Sequence, residues 1–395
     1  MENYRKSKHF FDLKTYVLSF LCFMQLLSCQ DKKYKDMNEE EKAKIDQEIL
    51  NRPNEIWPTN KDENDDYYYK TSICSFPGYF SENAGSHFVT DKESVGFLKM
   101  ENGVWPQTTG SVLNDEHHPI PKKLYVAWFS ISEDKFYEGL FELHYDKIKE
   151  EFDKMWLAYP NKSLYAASKY NRFTDIIVGV APKGYVIVWL SSLSQQIQIG
   201  RFQAKETKAI TWGRFAGMNG IAPEQTRERY VRMYREMEKM PSSIPFGKLE
   251  QYQKKYTWKP KIVYETSVSG EKILPLKYRI QYYSGDLEYI YELYEKKNLP
   301  LSRFVPKEII FEFNIGSKAF GGGFDIDEED IYKAFNLLAK DNETDLELVV
   351  KLDKDEEISK IVLRNKTNEY VLKCTDVQIG AGEIDPKINP LEETE

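Results

Sequence analysis

The chain has 395 residues, enough for two domains of ordinary size, and 41% are apolar, which is enough to fill their cores. Its charge is mixed, with a formal net of -8, and it lacks the basic footprint that a nucleic-acid partner requires. Nucleic acid is therefore excluded as a partner.

Residues 1–28 read as a lipoprotein signal peptide and not as part of the fold. Arg5, Lys6, Lys8 and Lys14 form a basic start, and Tyr16 to Leu27 is an apolar run too short for an ordinary membrane-spanning helix. The run ends in Leu26-Leu27-Ser28-Cys29, which resembles the lipobox of bacterial lipoproteins. Cleavage would leave Cys29 as the acylated N-terminus, and each buried CH₂ of its acyl chains would add about 0.8 kcal/mol of membrane affinity. Residues 29–54 are polar and read as a tether, with a helix around Glu39 to Leu50. The expected location is the bacterial cell envelope, at the outer membrane, facing the periplasm or the cell surface. Gln30 is not the aspartate that signals inner-membrane retention, and Asp31 with Glu39-Glu40-Glu41 leaves surface export open.

Residues 55–245 are predicted to form a first α+β domain with a trailing helix. Within it, Leu124, Val126 and Trp128 alternate along a strand. Ser132 to Lys135 is a polar turn, and Phe136 to Leu143 is the return strand. Ile148, Phe152 and Met155/Trp156 then follow helical spacing, with Asp146 as the expected N-cap. Two further strands follow, Thr174 to Val180 and Gly184 to Leu190. The trailing helix opens near Pro223 and carries Tyr230, Met233, Tyr234 and Met237 as its apolar face. Residues 246–377 are predicted as a second α+β domain, with a helix over Asp286 to Lys297. There Ile309, Phe311 and Phe313 repeat the pattern of the first strand. Phe324, Ile326, Ile331 and Phe335 fall in step with Phe141, Leu143, Ile148 and Phe152. The fold class expected is α+β: two β-rich domains, each containing a ββαββ unit, from an internal duplication. Residues 378–395 read as an acidic tail.

The chemistry on offer is sparse. The sequence contains no G-x-S-x-G, H-E-x-x-H, Walker loop or C-x-x-C motif, and no cofactor site is expected. Gly321-Gly322-Gly323 lies between strands and so lacks the helix that a phosphate loop needs. His117-His118 has no third ligand of clear spacing, and a solvated loop is the better reading. Cys74 and Cys374 remain after Cys29; an oxidising compartment allows a disulfide between them, and two buried thiols are the alternative. Trp128, Tyr137 and Trp189 are candidates for contact with a sugar ligand, although alternating strand aromatics more often fill a core.

Three stretches carry a resemblance. They are IPKKLYVAWFSISEDKFYEGLFEL from Ile120, IIVGVAPKGYVIVWLSS from Ile176 and QIGRFQA from Gln198. Pro121, Leu124, Trp128 and Ser130, then Lys135, Phe136, Tyr137 and Gly139, and Val178, Gly179, Pro182, Gly184, Val188, Trp189 and Leu190 stand at its motif positions. So do Ile199, Gly200, Phe202, Gln203 and Ala204. They are similar to an uncharacterised bacterial lipoprotein family, domain of unknown function 2931, over roughly Trp57 to Gly213. The resemblance implies an envelope lipoprotein and brings no catalytic residues with it.

These readings together point to a non-enzymatic envelope protein that binds another protein, of immunity or adaptor type, in the periplasm. A surface glycan-binding lipoprotein and an enzyme with an unfamiliar site are the rivals.

Overall fold

The period-two runs of the sequence are strands, and they stack as sheet on sheet. The computed structural model describes residues 62–383, apart from 63, 97–99, 104, 106–116, 155, 158–169, 193–194, 242, 246, 265–271, 292–298, 317 and 340–344. The signal peptide, the tether and Cys29 lie outside the described residues.

In chain order the main elements are β1 (Lys70–Ser75), β2 (His87–Val89), β3 (Ser94–Gly96), β4 (Met100–Glu101), β5 (Lys123–Ser130), β6 (Lys135–Glu142) and α1 (Tyr145–Asp153). Then come β7 (Asp175–Ala181), β8 (Tyr185–Ser191), β9 (Gln196–Gln203) and β10 (Lys205–Thr207). Three helices follow: α2 (Trp212–Met218), α3 (Arg227–Glu238) and α4 (Lys248–Gln251). The later half has β11 (Lys255–Tyr264), β12 (Ile273–Tyr282), β13 (Leu287–Tyr291), β14 (Leu301–Phe304), β15 (Pro306–Ile315), β16 (Lys318–Ile326) and α5 (Glu328–Leu338). It ends with β17 (Leu346–Leu352), β18 (Ile358–Arg364), β19 (Glu369–Val371) and β20 (Cys374–Glu383).

The strands form a ten-stranded sheet, β20-β16-β15-β12-β13-β9-β8-β7-β1-β4, a six-stranded sheet containing β10-β6-β5-β2-β3, and a five-stranded sheet, β14-β11-β17-β18-β19. Adding ten to each label of the first half reproduces the neighbours of the second. The row β10-β6-β5-β2-β3 becomes β20-β16-β15-β12-β13, and β9-β8-β7-β1-β4 becomes β19-β18-β17-β11-β14. The parallel pair β1·β7 recurs as the parallel pair β11·β17. What recurs is thus a two-sheet sandwich. The halves join edge to edge where β9 meets β13, through the pair Gln196 and Leu287. Residues on either side of position 245 therefore share one sheet.

This corrects the expected fold class. Strand accounts for 51% of the described structure and helix for 18%, so the protein is mostly β and not α+β. The ββαββ stretch is not a unit, because its two hairpins lie in different sheets. The β5–β6 hairpin belongs to the six-stranded sheet and β7–β8 to the ten-stranded one. The nine-residue α1 lies between these hairpins in the chain, burying Ile148 and Phe152. His144, not Asp146, is its N-cap residue, and no side chain bonds there. The helix expected from Asp286 onward is instead strand β13 over Leu287–Tyr291, paired with β12. Gln378 to Glu383, the first residues of the stretch expected as a tail, pair with β16.

Two apolar cores fill the sandwiches. Leu124, Val126 and Trp128 of β5 meet Val178 and Val188 in one; Phe311 and Phe313 of β15 meet Leu348 and Val350 in the other. Each such side chain contributes about 1.5–3 kcal/mol of burial. Packing is tight enough to dictate Gly179, where a Cβ would lie 2.5 Å from the Trp189 ring and 2.6 Å from that of Trp105.

Candidate functional site

After β10 the chain leaves the first sandwich and folds back over the outside of its β5–β6 hairpin as α2 and α3. Thr211 and Thr226 start these helices, their hydroxyls accepting from Arg214 N and Arg229 N. The faces they bury, Phe215 and Tyr230 with Val231, cover Ala127, Phe129, Ile131 and Phe136. The second sandwich has no such cap among the described residues.

Two arginines of α3 pin the β5–β6 turn. Arg227 Nε donates to Asp134 Oδ1 at 2.6 Å, and its guanidinium also bonds the Asp134 carbonyl. The same group stacks 5.3 Å from the rings of Phe129 and Phe136. Arg235 Nη2 donates to Ser132 O at 2.6 Å. From the other side, Glu133 accepts from Lys183 N at 3.1 Å, Ser130 Oγ at 3.0 Å and Tyr137 OH at 3.2 Å. The turn is held in place even though Asp134 lies in the left-handed region at φ 55°.

Between this turn and α3 runs an open groove of about 460 Å³, lined by Asp134, Glu228, Val231, Arg232, Arg235 and Glu236. Beside it Met233 and Met237 are 42% and 63% exposed, and Met218 at the end of α2 is 51% exposed. Met233 and Met237 are one turn apart and form a ridge on the helix. Among the described residues, exposed Arg229 and Arg232 have no side-chain hydrogen bond or ion pair. The surface thus offers soft apolar side chains next to exposed guanidiniums and carboxylates.

The sequence reading placed Met233 and Met237 on the buried face. The structure turns the helix so that Tyr230 and Val231 are buried, with Arg227 and Arg235 flanking them. The missed signal is the spacing 227, 230, 231, 234, 235, in which arginines hold two of the face positions.

The aromatic candidates lie elsewhere. Trp128 and Trp189 are fully buried and Tyr137 nearly so; Trp128 stacks on Tyr137 at 5.1 Å, and Trp189 meets Trp105 edge-on at 5.0 Å. They form no exposed sugar platform: Trp128 and Tyr137 lie in the first sandwich core, and Trp189, on the face of its sheet opposite Val188, is covered by a cluster that includes Trp105 and Phe76. Cys74 and Cys374 are free thiols. Cys74 is on β1 and Cys374 on β20, eight strand spacings apart in the ten-stranded sheet. That is on the order of 38 Å along the sheet, against about 4.4–6.8 Å between Cα atoms in a disulfide. His118 is buried in a two-strand ribbon with Tyr67–Tyr68, and its Nδ1 lies 2.7 Å from Glu93. Among the described residues no cluster of His, Cys, Asp and Glu could hold a metal ion.

No curated protein and no solved structure matches the chain. A family model described as "Protein of unknown function (DUF2931)" matches residues 32–247, more than half of the chain, taking in the first sandwich and the α2–α3 cap. The chain belongs to that family.

Proposed function

We propose that this is a non-enzymatic binding protein of the bacterial cell envelope, held to a membrane by acyl chains on Cys29, that engages another protein through the α2–α3 cap. An immunity or envelope-adaptor role in the periplasm fits such a body. The reading is carried by the ridge of Met233 and Met237 lying beside the groove with its exposed Arg232. Methionine and arginine are enriched at protein interfaces, methionine because its flexible thioether adapts to varied surfaces and arginine because its fork bonds carboxylates.

A photo-crosslinking amino acid at position 237 of the full chain in living cells tests the reading. A discrete protein adduct, lost when Arg232→Glu is added, supports it. If positions 233 and 237 both fail to give an adduct, the cap is not the binding surface. Partition of Cys29→Ala into the soluble fraction is expected alongside; membrane retention of that variant would refute the anchor.

A further inference from the structure

Among the described residues, six strands end the strand orders of the three large sheets, and five of them are short. β4 has 2 residues, β3, β10 and β19 have 3 each, and β14 has 4. Short edges are a common defence against edge-to-edge pairing between molecules. β20 departs from this rule with 10 residues. It pairs with β16 along one side, from Cys374 opposite Ile326 to Glu383 opposite Lys318, and has no strand on the other side among the described residues. Thr375 to Gln378 are all exposed, with Val377 at 43%. The equivalent strand of the first sandwich, β10, stops after Thr207, and α2 then folds over that sandwich. β20 is the same topological edge, left long and open.

Its chemistry fits a copy of itself. Asp376 is the one charged residue between Cys374 and Gly382. At φ 50° it interrupts the ladder with β16, whose register shifts between Gly323 and Asp325, and the run from Gln378 onward pairs regularly. Antiparallel pairing of two such strands about Gly380 sets Ile379 against Ala381 and Gln378 against Gly382, and brings no like charges face to face. Gly380 and its partner Gly321 have open space where a Cβ would stand, so crowding within the chain does not account for either glycine. The chain already joins sheets edge to edge within itself, at β9·β13. A two-fold pairing of identical edges closes on itself and leaves no further edge to propagate.

We propose that β20 is a homodimerisation edge, along which two copies pair antiparallel about Gly380 and merge their ten-stranded sheets. Gly380 of one copy then faces Gly380 of the other at about 4.5–5.5 Å between Cα atoms, a separation that a disulfide spans. The full chain bearing Gly380→Cys should give a covalent dimer on non-reducing gels of mildly oxidised cells. Wild type and Thr375→Cys should not, since position 375 lies five residues from the two-fold axis and does not meet its own copy in this register. In mild detergent, light scattering should give the mass of a dimer for wild type and of a monomer for Gly380→Lys, which sets two ammonium groups face to face across the pair while meeting nothing within its own chain. A strand from a different protein on this edge would instead link Gly380→Cys to a partner of another mass. That result, a wild-type monomer at tens of micromolar, a dimer unmoved by Gly380→Lys, or cross-linking of Thr375→Cys as readily as Gly380→Cys would each overturn the proposal.

Discussion

Replacing Asp286 by Asn should stabilise the protein at neutral pH. Asp286 ends the turn between β12 and β13, at the joint of the two sandwiches. Ser284 Oγ donates to its Oδ2 at 2.9 Å, and Gln198 N, across the joint on β9, donates to its Oδ1 at 3.1 Å. Burial pushes its carboxyl up from an ordinary 3.8 to about 6, although those hydrogen bonds and Lys255 on β11 act the other way. A group whose folded pKa is raised stabilises the fold in its protonated form. Here that contribution is whole below about 3.8 and is lost as the pH rises through about 6. The charge at neutral pH then costs at most about 3 kcal/mol, at roughly 1.4 kcal/mol per tenfold change in proton affinity. Solvent reaches part of the residue, so a gain of about 1–2 kcal/mol is the working figure. Asparagine keeps the geometry: its Oδ1 accepts from Gln198 N, and its Nδ2 donates to Ser284 Oγ. Urea unfolding of the variant and the wild type at pH 5 and pH 7.5 reads the effect. The variant should be the more stable at pH 7.5, and its advantage should shrink toward pH 5. A less stable variant at pH 7.5, or an advantage equal at both values, would refute the desolvation argument.

Three further outcomes follow from the packing. Gly179→Ala pushes a methyl into the rings of Trp189 and Trp105 and should lower stability by about 1–3 kcal/mol in the same assay. Arg303 is buried and donates to both oxygens of Glu288, at 2.9 and 3.2 Å, and to Trp258 O at 2.9 Å. Arg303→Ala should cost about 2–3 kcal/mol, because it strips a charged partner from a half-buried carboxylate that keeps, among the described residues, only its bond from Tyr282 OH, and Arg303→Ala with Glu288→Gln should recover part of the loss. Burial pushes the Cys74 thiol up and the Cys374 thiol up to about 12, so neither should react with iodoacetamide at pH 8 before urea is added. Mass spectrometry of the native and unfolded chain distinguishes the two states.

Local structure was readable where the pattern had a single cause. Leu124, Val126 and Trp128 alternate because every second side chain enters one core, and Ile309, Phe311 and Phe313 do the same in the other. Ile148 and Phe152 follow the helical period because α1 buries one stripe. Layer membership was not readable, since period two says that a face is buried but not by which sheet. The stretch from Asp286 misled for a different reason. Leu287, Ile290 and Tyr291 have helical spacing, yet pairing with β12 overrides that local preference. The cap was misread because Arg227 and Arg235 hold positions on the inward face, where stacking on Phe129 and Phe136 and a bond to Ser132 O replace ordinary burial.

The two proposed surfaces lie on different halves, and this makes them separable. The stretch shared with the family ends at residue 247, after α3, so it contains the cap and leaves out β20. If the cap carries binding and the second sandwich carries assembly, charge reversal at Arg232 should abolish the adduct at position 237 without changing the mass of the particle. Gly380→Lys should halve the mass and leave the adduct in place. A variant that moves both readouts would mean that the partner bridges the halves. The cap would then be one side of a larger surface, and the asymmetry between the sandwiches would not divide their roles.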